Sequence, residues 1–501
     1  MKKRFPSLFY NPLSMLGAVI AIVNFIVILL LLLYDTLVGE TAPYAGIIAF
    51  IILPAILIMG LLFIPIGMFF ERRRRIHSNS AGEPRSFYID LGKPSHRLAT
   101  IVFTSGTIVF LLSTAIGSYR AYEFTESVTF CGQICHTVME PEFVAYQYSP
   151  HARVTCAECH VGSGAGWYVR SKLSGAYQVY AATFNLFPRP ISTPIENLRP
   201  ARETCEECHW PDKFHGSQEK IFDHYMVDEE NSRWDIRMLI KTGGGSKEAG
   251  LAEGIHWHMN LANEVDYIAT DEQRQEMAWV RIKDHKGQVK EFFNEDNPIE
   301  PEELGQYEMR RMDCIDCHNR PTHIYRSPSK AVNKAMCMGE IDRTLPSAKR
   351  IAIEVLIGEY TTKDSAFVAI ENHIREAYAE EYPDVLETRA KEIEKMIAAV
   401  QEIYRRNFFP EMKVRWDTYP DNIGHFHSPG CYRCHNGRFV SEDGEVISND
   451  CRSCHIIFSQ GPEQTTERVD PNGLEFKHPV DIEEAWREMA CSECHTGTSQ
   501  L

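Results

Sequence analysis

Seven times in this 501-residue chain a cysteine is followed three or four positions on by another, and then at once by a histidine. The motifs are CGQICH (Cys131, Cys135, His136), CAECH (Cys156, Cys159, His160), CEECH (Cys205, Cys208, His209) and CIDCH (Cys314, Cys317, His318). CYRCH (Cys431, Cys434, His435), CRSCH (Cys451, Cys454, His455) and CSECH (Cys491, Cys494, His495) complete the series. They take fourteen of the fifteen cysteines and leave only Cys337, expected as a buried free thiol. C-x-x-C-H is the attachment signature of c-type haem: the thiols form thioethers to the vinyl groups and the adjacent His ligates the iron. Zinc knuckles also use C-x-x-C pairs, but they do not need His directly after the second Cys. With 20 His in 501 residues, chance would rarely put one after every pair. A disulfide framework fails on the same ground. Seven covalent haem c groups are therefore expected.

Three apolar stretches precede the motifs. Leu13 to Tyr34 is apolar except for Ser14 and Asn24, Tyr44 to Phe70 has no charge in 27 residues, and Leu98 to Ile116 is uncharged. About 20 apolar residues span a bilayer, so all three qualify. The segment before the first span carries Lys2, Lys3 and Arg4, the loop 35–43 has no Lys or Arg, and the loop 71–97 has seven. The positive-inside rule puts the first and third of these in the cytoplasm. Residue 120 onward then lies on the opposite side, where bacteria attach haem. The first span has no A-x-A-like site after it and reads as a retained anchor rather than a cleaved signal peptide.

The formal net charge of −16 is unevenly spread: residues 1–120 carry +6, so the remainder carries −22. So acidic a surface argues against nucleic acid and favours basic partners.

Phe130 to His209, with the run VMEPEFVAYQYSPHARVTCAECH, and then CIDCH followed by His323, resemble the NapC/NirT family of membrane-anchored quinol-oxidising cytochromes. The likeness covers roughly residues 98–325. The whole plan is similar to the inner-membrane heptahaem cytochromes of metal-reducing bacteria. The resemblance implies menaquinol as substrate, a first haem at the membrane surface, and electron delivery in anaerobic respiration or extracellular electron transfer. In the family a Met near the first motif, rather than the motif His, can ligate the iron. Here that Met is Met139, three residues after His136 rather than the usual two, so both remain candidates. The resemblance also implies that His151 serves the third haem and His323 the second, and that Lys172 matches a quinol-site lysine. Val161 to Ile195 contains no Asp or Glu, so a side-chain proton acceptor must come from elsewhere, and Glu142 is the nearest in sequence.

Six bis-His haems need six further ligands. A His a few residues from its own motif is poorly placed to reach the opposite haem face and more readily serves a neighbour. Besides His151 and His323, we expect His215, one of His256 or His258, one of His425 or His427, and His478. Gly166 to Phe184 places Leu173, Tyr177, Tyr180 and Phe184 at helical spacing, with aromatics suited to a membrane interface. AWVRIKDHKGQVKEFF predicts a small hairpin. Ser329 to Phe408 lacks a haem motif and reads as helix.

The expected fold is mainly α: three N-terminal transmembrane helices, then a periplasmic multihaem cytochrome c domain with a haem-dominated core and a small β insertion. The divisions are a membrane domain (1–120), a tetrahaem domain (121–328) with insertion 212–306, a helical spacer (329–415) and a C-terminal trihaem domain (416–501). The expected location is the inner membrane, multi-pass, with the haem domain in the periplasm. The expected activity is menaquinol oxidation, with electrons passed to a basic periplasmic c-type cytochrome or reductase. A homo-oligomer is compatible with the sequence. A passive conduit fed by another subunit and a terminal reductase are the alternatives. The pentahaem nitrite reductases mark an open haem with C-x-x-C-K, which is missing here. Intact mass of the mature protein should show seven haem adducts, and six or fewer on fully matured protein would refute the count.

Overall fold

The three apolar stretches form helices α1 (Pro12–Val38), α2 (Leu53–His77) and α3 (Pro94–Thr125), each long and apolar enough to cross a membrane. The computed structural model describes residues 7–38, 52–77, 90–134, 136–162, 164–195, 200–210, 214, 216–243, 254–259, 263–284, 286–462, 470 and 472–498. Cys135, His215, the charged residues Lys2 to Arg4, the loop 39–43 and the start of the second apolar stretch lie outside them, and so does the side chain of His136. The chain divides into two units, 1–136 and 137–501.

In the first unit α1 and α2 pack through glycine. A Cβ on Gly17 would lie 2.6 Å from the Gly60 carbonyl oxygen, and one on Gly60 would lie 2.9 Å from the Ala21 nitrogen. Lipid offers no hydrophobic drive between helices, so close approach of small residues and interhelical hydrogen bonds must hold them. Ser14 supplies such a bond, its hydroxyl donating to the Ile64 carbonyl at 2.8 Å. After α3 a π-helical turn, Phe130–Ile134, carries Cys131.

The second unit begins along α4 (His136–Gln147), followed by α5 (Ala165–Thr183). Two antiparallel sheets come next. One joins β1 (Gln218–Tyr225) and β2 (Arg233–Ile240) to the late strand β8 (His455–Pro462), with Ile240 opposite His455. The other has the order β6-β3-β4-β5-β7, built from β3 (Glu264–Ala269), β4 (Met277–Lys283), β5 (Val289–Asn294), β6 (Arg310–Arg311) and β7 (Phe439–Ser441). The predicted hairpin is β4–β5. Asp284 accepts from the amides of Lys286 and Gln288, and Gly287 takes φ +79° in the turn. The β structure is larger than expected and is not confined to the insertion, since both sheets recruit strands from beyond residue 438.

Residues 328–408 form α6 (Pro328–Cys337), α7 (Ala348–Leu356), α8 (Lys363–Glu381) and α9 (Ala390–Asn407). Ala366, Ile370, Ile374 and Tyr378 repeat every four residues along α8 and are fully buried. On α9 Ile393, Met396, Val400 and Tyr404 recur at three- and four-residue spacing and are buried. Such a stripe at 3.6-residue period drives a helix to pack. This block thus has an apolar core made of side chains alone, which qualifies the expectation of a haem-dominated core. Cys337 is exposed rather than buried, its thiol donating to Asp223 at 3.3 Å.

Gly60→Leu should separate α1 from α2. Overpacking costs about 1–3 kcal/mol, so a lower thermal midpoint in detergent is expected. Gly106→Leu is the control, because a Cβ there meets nothing within 4 Å. Equal midpoints for the two variants would refute the close-packed pair.

Candidate haem centres

Most motifs sit on single helical turns that bring cysteines i and i+3 to one face. Cys156–His160, Cys314–Cys317 and Cys491–Cys494 are α-helical, and Gly430–Arg433 and Cys451–Ser453 are 3₁₀. Three motifs are closed by the residue before their second cysteine. Glu158 accepts from the Thr155 amide at 2.6 Å, Asp316 from the Asp313 amide at 2.7 Å, and Glu493 from the Ala490 amide at 2.9 Å. Each satisfies an amide that the short helix leaves open, and at Thr155 and Asp313 it is half of a capping box.

The motif histidines of the larger unit each face one other histidine. Ring centroids are 6.3 Å apart for His160 and His323, 6.0 Å for His209 and His151, and 6.3 Å for His318 and His256. They are 5.8 Å for His435 and His258, 6.2 Å for His455 and His425, and 5.9 Å for His495 and His478. With metal–nitrogen bonds of about 2 Å and about 1 Å from nitrogen to ring centre, imidazoles on opposite sides of one metal have centroids about 6 Å apart. The six pairs fit an iron between them.

The rings are also turned for ligation. Nδ1 of His256 lies 2.6 Å from the Thr242 carbonyl, of His258 3.0 Å from Ile255, of His323 3.0 Å from Glu142, of His435 2.7 Å from Ser448, and of His478 2.8 Å from Val480. A carbonyl only accepts, so Nδ1 carries the hydrogen and Nε2 keeps its lone pair for a metal. Burial lowers the pKa of His160, His258, His318, His323, His425, His455 and His495, which holds them in the neutral ligating form.

The thiols tell the same story. Burial pushes Cys317 up to about 11, Cys434 up to about 12 and Cys454 up to about 11. Such a site resists a thiolate but accepts a neutral thioether. Among the described residues no group of three or more His, Cys, Asp or Glu gathers as a tetrahedral zinc site would need.

Successive motifs are neighbours in chain order. Cys159 lies in electrostatic reach of Cys205 and Cys208, Cys205 of Cys314, Cys317 of Cys431, Cys454 of Cys431, and Cys491 of Cys451. The fourth and fifth are bolted together: Arg433, inside CYRCH, donates to the carbonyl of Asp316, inside CIDCH, at 2.6 Å, and Asn422 donates to the same oxygen at 3.0 Å.

Both His256 and His258, rather than one of them, face a motif histidine. They share one 3₁₀ turn, Ile255–Met259, in which residues two apart point away from each other. Of His425 and His427, only His425 is so paired. His427 is engaged at both nitrogens, by the His495 carbonyl at 3.0 Å and by the Ser327 hydroxyl at 3.2 Å. Glu142 lies beside the second motif's partner histidine: its carboxylate is 3.0 Å from His323 Nδ1 and 3.2 Å from Arg320. Met139 is half-buried on α4. Lys172 is half-buried on α5, its ammonium 4.9 Å from the centre of the Tyr168 ring. On the same helix Leu173, Tyr177 and Tyr180 are exposed, as is Phe184 just past its end.

Residues 93–193 match the family described as the NapC/NirT cytochrome c family, N-terminal region. The chain is also 44% identical over 491 residues to the cytochrome c-type protein ImcH of Geobacter sulfurreducens, covering 98% of this chain and 96% of that one. The chain belongs to the NapC/NirT cytochrome c family. As a member it is a multihaem c-type cytochrome with covalently bound haem, and its three apolar helices make it a membrane protein. No solved structure matches it. The family's haem signature and the paired histidines were reached from separate observations, one from sequence likeness and one from ring geometry.

Proposed function

We propose that this cytochrome carries seven haems and oxidises menaquinol at the inner membrane, passing electrons along its haem chain to a basic periplasmic c-type cytochrome or reductase. The observation that carries the reading is the set of six histidine pairs spaced to bracket an iron, on motifs that are neighbours in chain order. Bound haem supplies one-electron redox chemistry at each site, and the chain supplies ligation, burial and spacing. His323, His151, His256, His258, His425 and His478 would ligate the haems of the second to seventh motifs in that order, opposite the motif histidines. His136 or Met139 ligates the first. His215 is not needed for this set.

Menaquinol oxidation to the quinone releases two electrons and two protons. A haem held at the first motif would supply the one-electron acceptor, and the protons need acceptors beside the ring hydroxyls. Lys172 is the donor that orients a hydroxyl, and Glu142 is the carboxylate for a proton. The exposed apolar run Leu173, Tyr177, Tyr180 and Phe184 suits α5 to the bilayer interface, where the quinol resides. The −22 charge of residues 121–501 steers a basic acceptor toward the periplasmic part.

Removing a true ligand should change spin state. His258→Ala should convert one haem from low-spin to high-spin by electron paramagnetic resonance, whereas His427→Ala should leave the low-spin count unchanged. The reverse result would break the assignment.

Purified protein should be reduced by a menaquinol analogue unaided. Lys172→Met and Glu142→Gln should each slow this on the order of tenfold or more, with haem content intact, because general acid–base groups contribute ~10²–10⁴-fold. Reduction by dithionite should be unchanged. Parent-rate quinol oxidation in both variants would show that the site lies elsewhere.

A further inference from the structure

Beside the seventh motif stands a buried lysine with no carboxylate at ion-pair distance, although Asp228 acts on it from farther off. Lys349, on α7, is 4% exposed. Its ammonium donates to the carbonyl of Tyr225 at the end of edge strand β1. Among the described residues no carboxylate stands within ion-pair distance of it. A charge is rarely buried this far without a partner, because desolvation costs several kcal/mol per ion. An ammonium has three donors, and one carbonyl satisfies only one of them.

Tyr225 is preceded by His224, whose ring lies 5.6 Å from that of Phe426. Phe426 in turn stacks on the motif histidine His495 at 4.5 Å. Burial first, and then the Lys349 charge among its neighbours, oppose protonation of His224 and of His495, so both rings are within electrostatic reach of the ammonium. From the other side come Ser327, the N-cap of α6, which contacts His427, and Lys330, whose amide bonds the Ser327 hydroxyl at 3.3 Å. Lys330 makes no ion pair among the described residues either, and burial lowers its pKa although its side chain has exposed surface.

We infer that Lys349 and Lys330, with the His224 ring, form the cradle for the propionates of the haem on Cys491 and Cys494. The ligand class is a pair of carboxylates, which a haem brings with it; the protein's own nearby carboxylates, Asp228 for Lys349 and Asp421 for Lys330, stand beyond ion-pair distance. Ion pairing with a propionate gives Lys349 the partner it lacks. The cations also favour the reduced iron, which carries one positive charge fewer, and so raise the potential of this haem. On the chain order of the motifs it is the last one, so the cradle biases electrons toward the exit. This inference rests on the proposed haem assignment.

The test is Lys349→Met, which keeps length and removes charge, on the full-length protein. First, peptide mapping of the parent must find haem on Cys491 and Cys494; its absence there would sink the haem assignment itself. In the variant, intact mass should be unchanged in haem number. One haem's midpoint in a spectroelectrochemical titration should fall, on the order of a tenfold change in its reduction equilibrium, about 59 mV for one electron. Seven attached haems with all midpoints unchanged would overturn the cradle. If Lys349→Met fails to mature, Lys349→Arg keeps the charge and moves the donors. One propionate-bending band in its resonance Raman spectrum should then shift, and an unshifted spectrum would overturn the proposal.

Discussion

The spacing of two imidazoles about a single metal atom is the constraint on which the larger unit depends. It fixes pairs of side chains about 6 Å apart, a separation at which the two rings neither stack closely nor hydrogen-bond. The pairs are distant in sequence: His160 with His323, His318 with His256, His435 with His258. Each closes a long loop, and loop-closure entropy opposes it with nothing in the pair to compensate. On the proposed ligation the iron compensates. The motifs are then the fold's long-range fasteners as well as its cofactor sites.

The 3₁₀ turn that carries His256 and His258 shows what the insertion contributes. One residue faces the fourth motif and the other faces the fifth. The two sheets on either side of that turn take strands β7 and β8 from the far end of the chain. Arg433 and Asn422 hold the Asp316 carbonyl from the side of the last three motifs. The turn with its two histidines, the shared sheets and this clamp all act at the junction of the first four motifs with the last three. A gap in an electron path slows everything beyond it, so the junction is where rigidity has most value. The apolar block of α6 to α9 has its own core and adds a platform that does not depend on haem.

The parts written locally were legible in the sequence. The seven motifs, the three apolar spans, the β4–β5 hairpin and the helices of 328–408 each follow from spacing, length or periodicity within a short window. The histidine pairing does not, because it is a tertiary fact. H-x-H at His256 looked like one ligand with a spare, since nothing local says that the segment would be a tight turn lying between two motifs. At His425 and His427 the same spacing gives one paired ring and one that braces a backbone carbonyl, and only the neighbours distinguish them. The acidic residue before the second cysteine in CAECH, CIDCH and CSECH was a readable signal left unused. With Thr155 or Asp313 before the motif it completes a capping box, and at Ala490 it satisfies the open amide alone.

Glu142 joins the two ends of this reasoning. From the sequence it was chosen for its closeness to Met139 and for the lack of any carboxylate between Val161 and Ile195. Its carboxylate in fact touches His323, the partner of the second motif's histidine, and is paired with Arg320, which stacks over Tyr419 at 4.2 Å. A carboxylate against the Nδ1 hydrogen of an imidazole makes that imidazole more basic and a stronger donor to iron. The same oxygens cannot serve a quinol proton without loosening that contact. Proton acceptance and the electron affinity of the second haem would then be linked through one side chain. On the proposed quinol site, Glu142 would do more than receive a proton: it would make the second haem respond to the proton's departure.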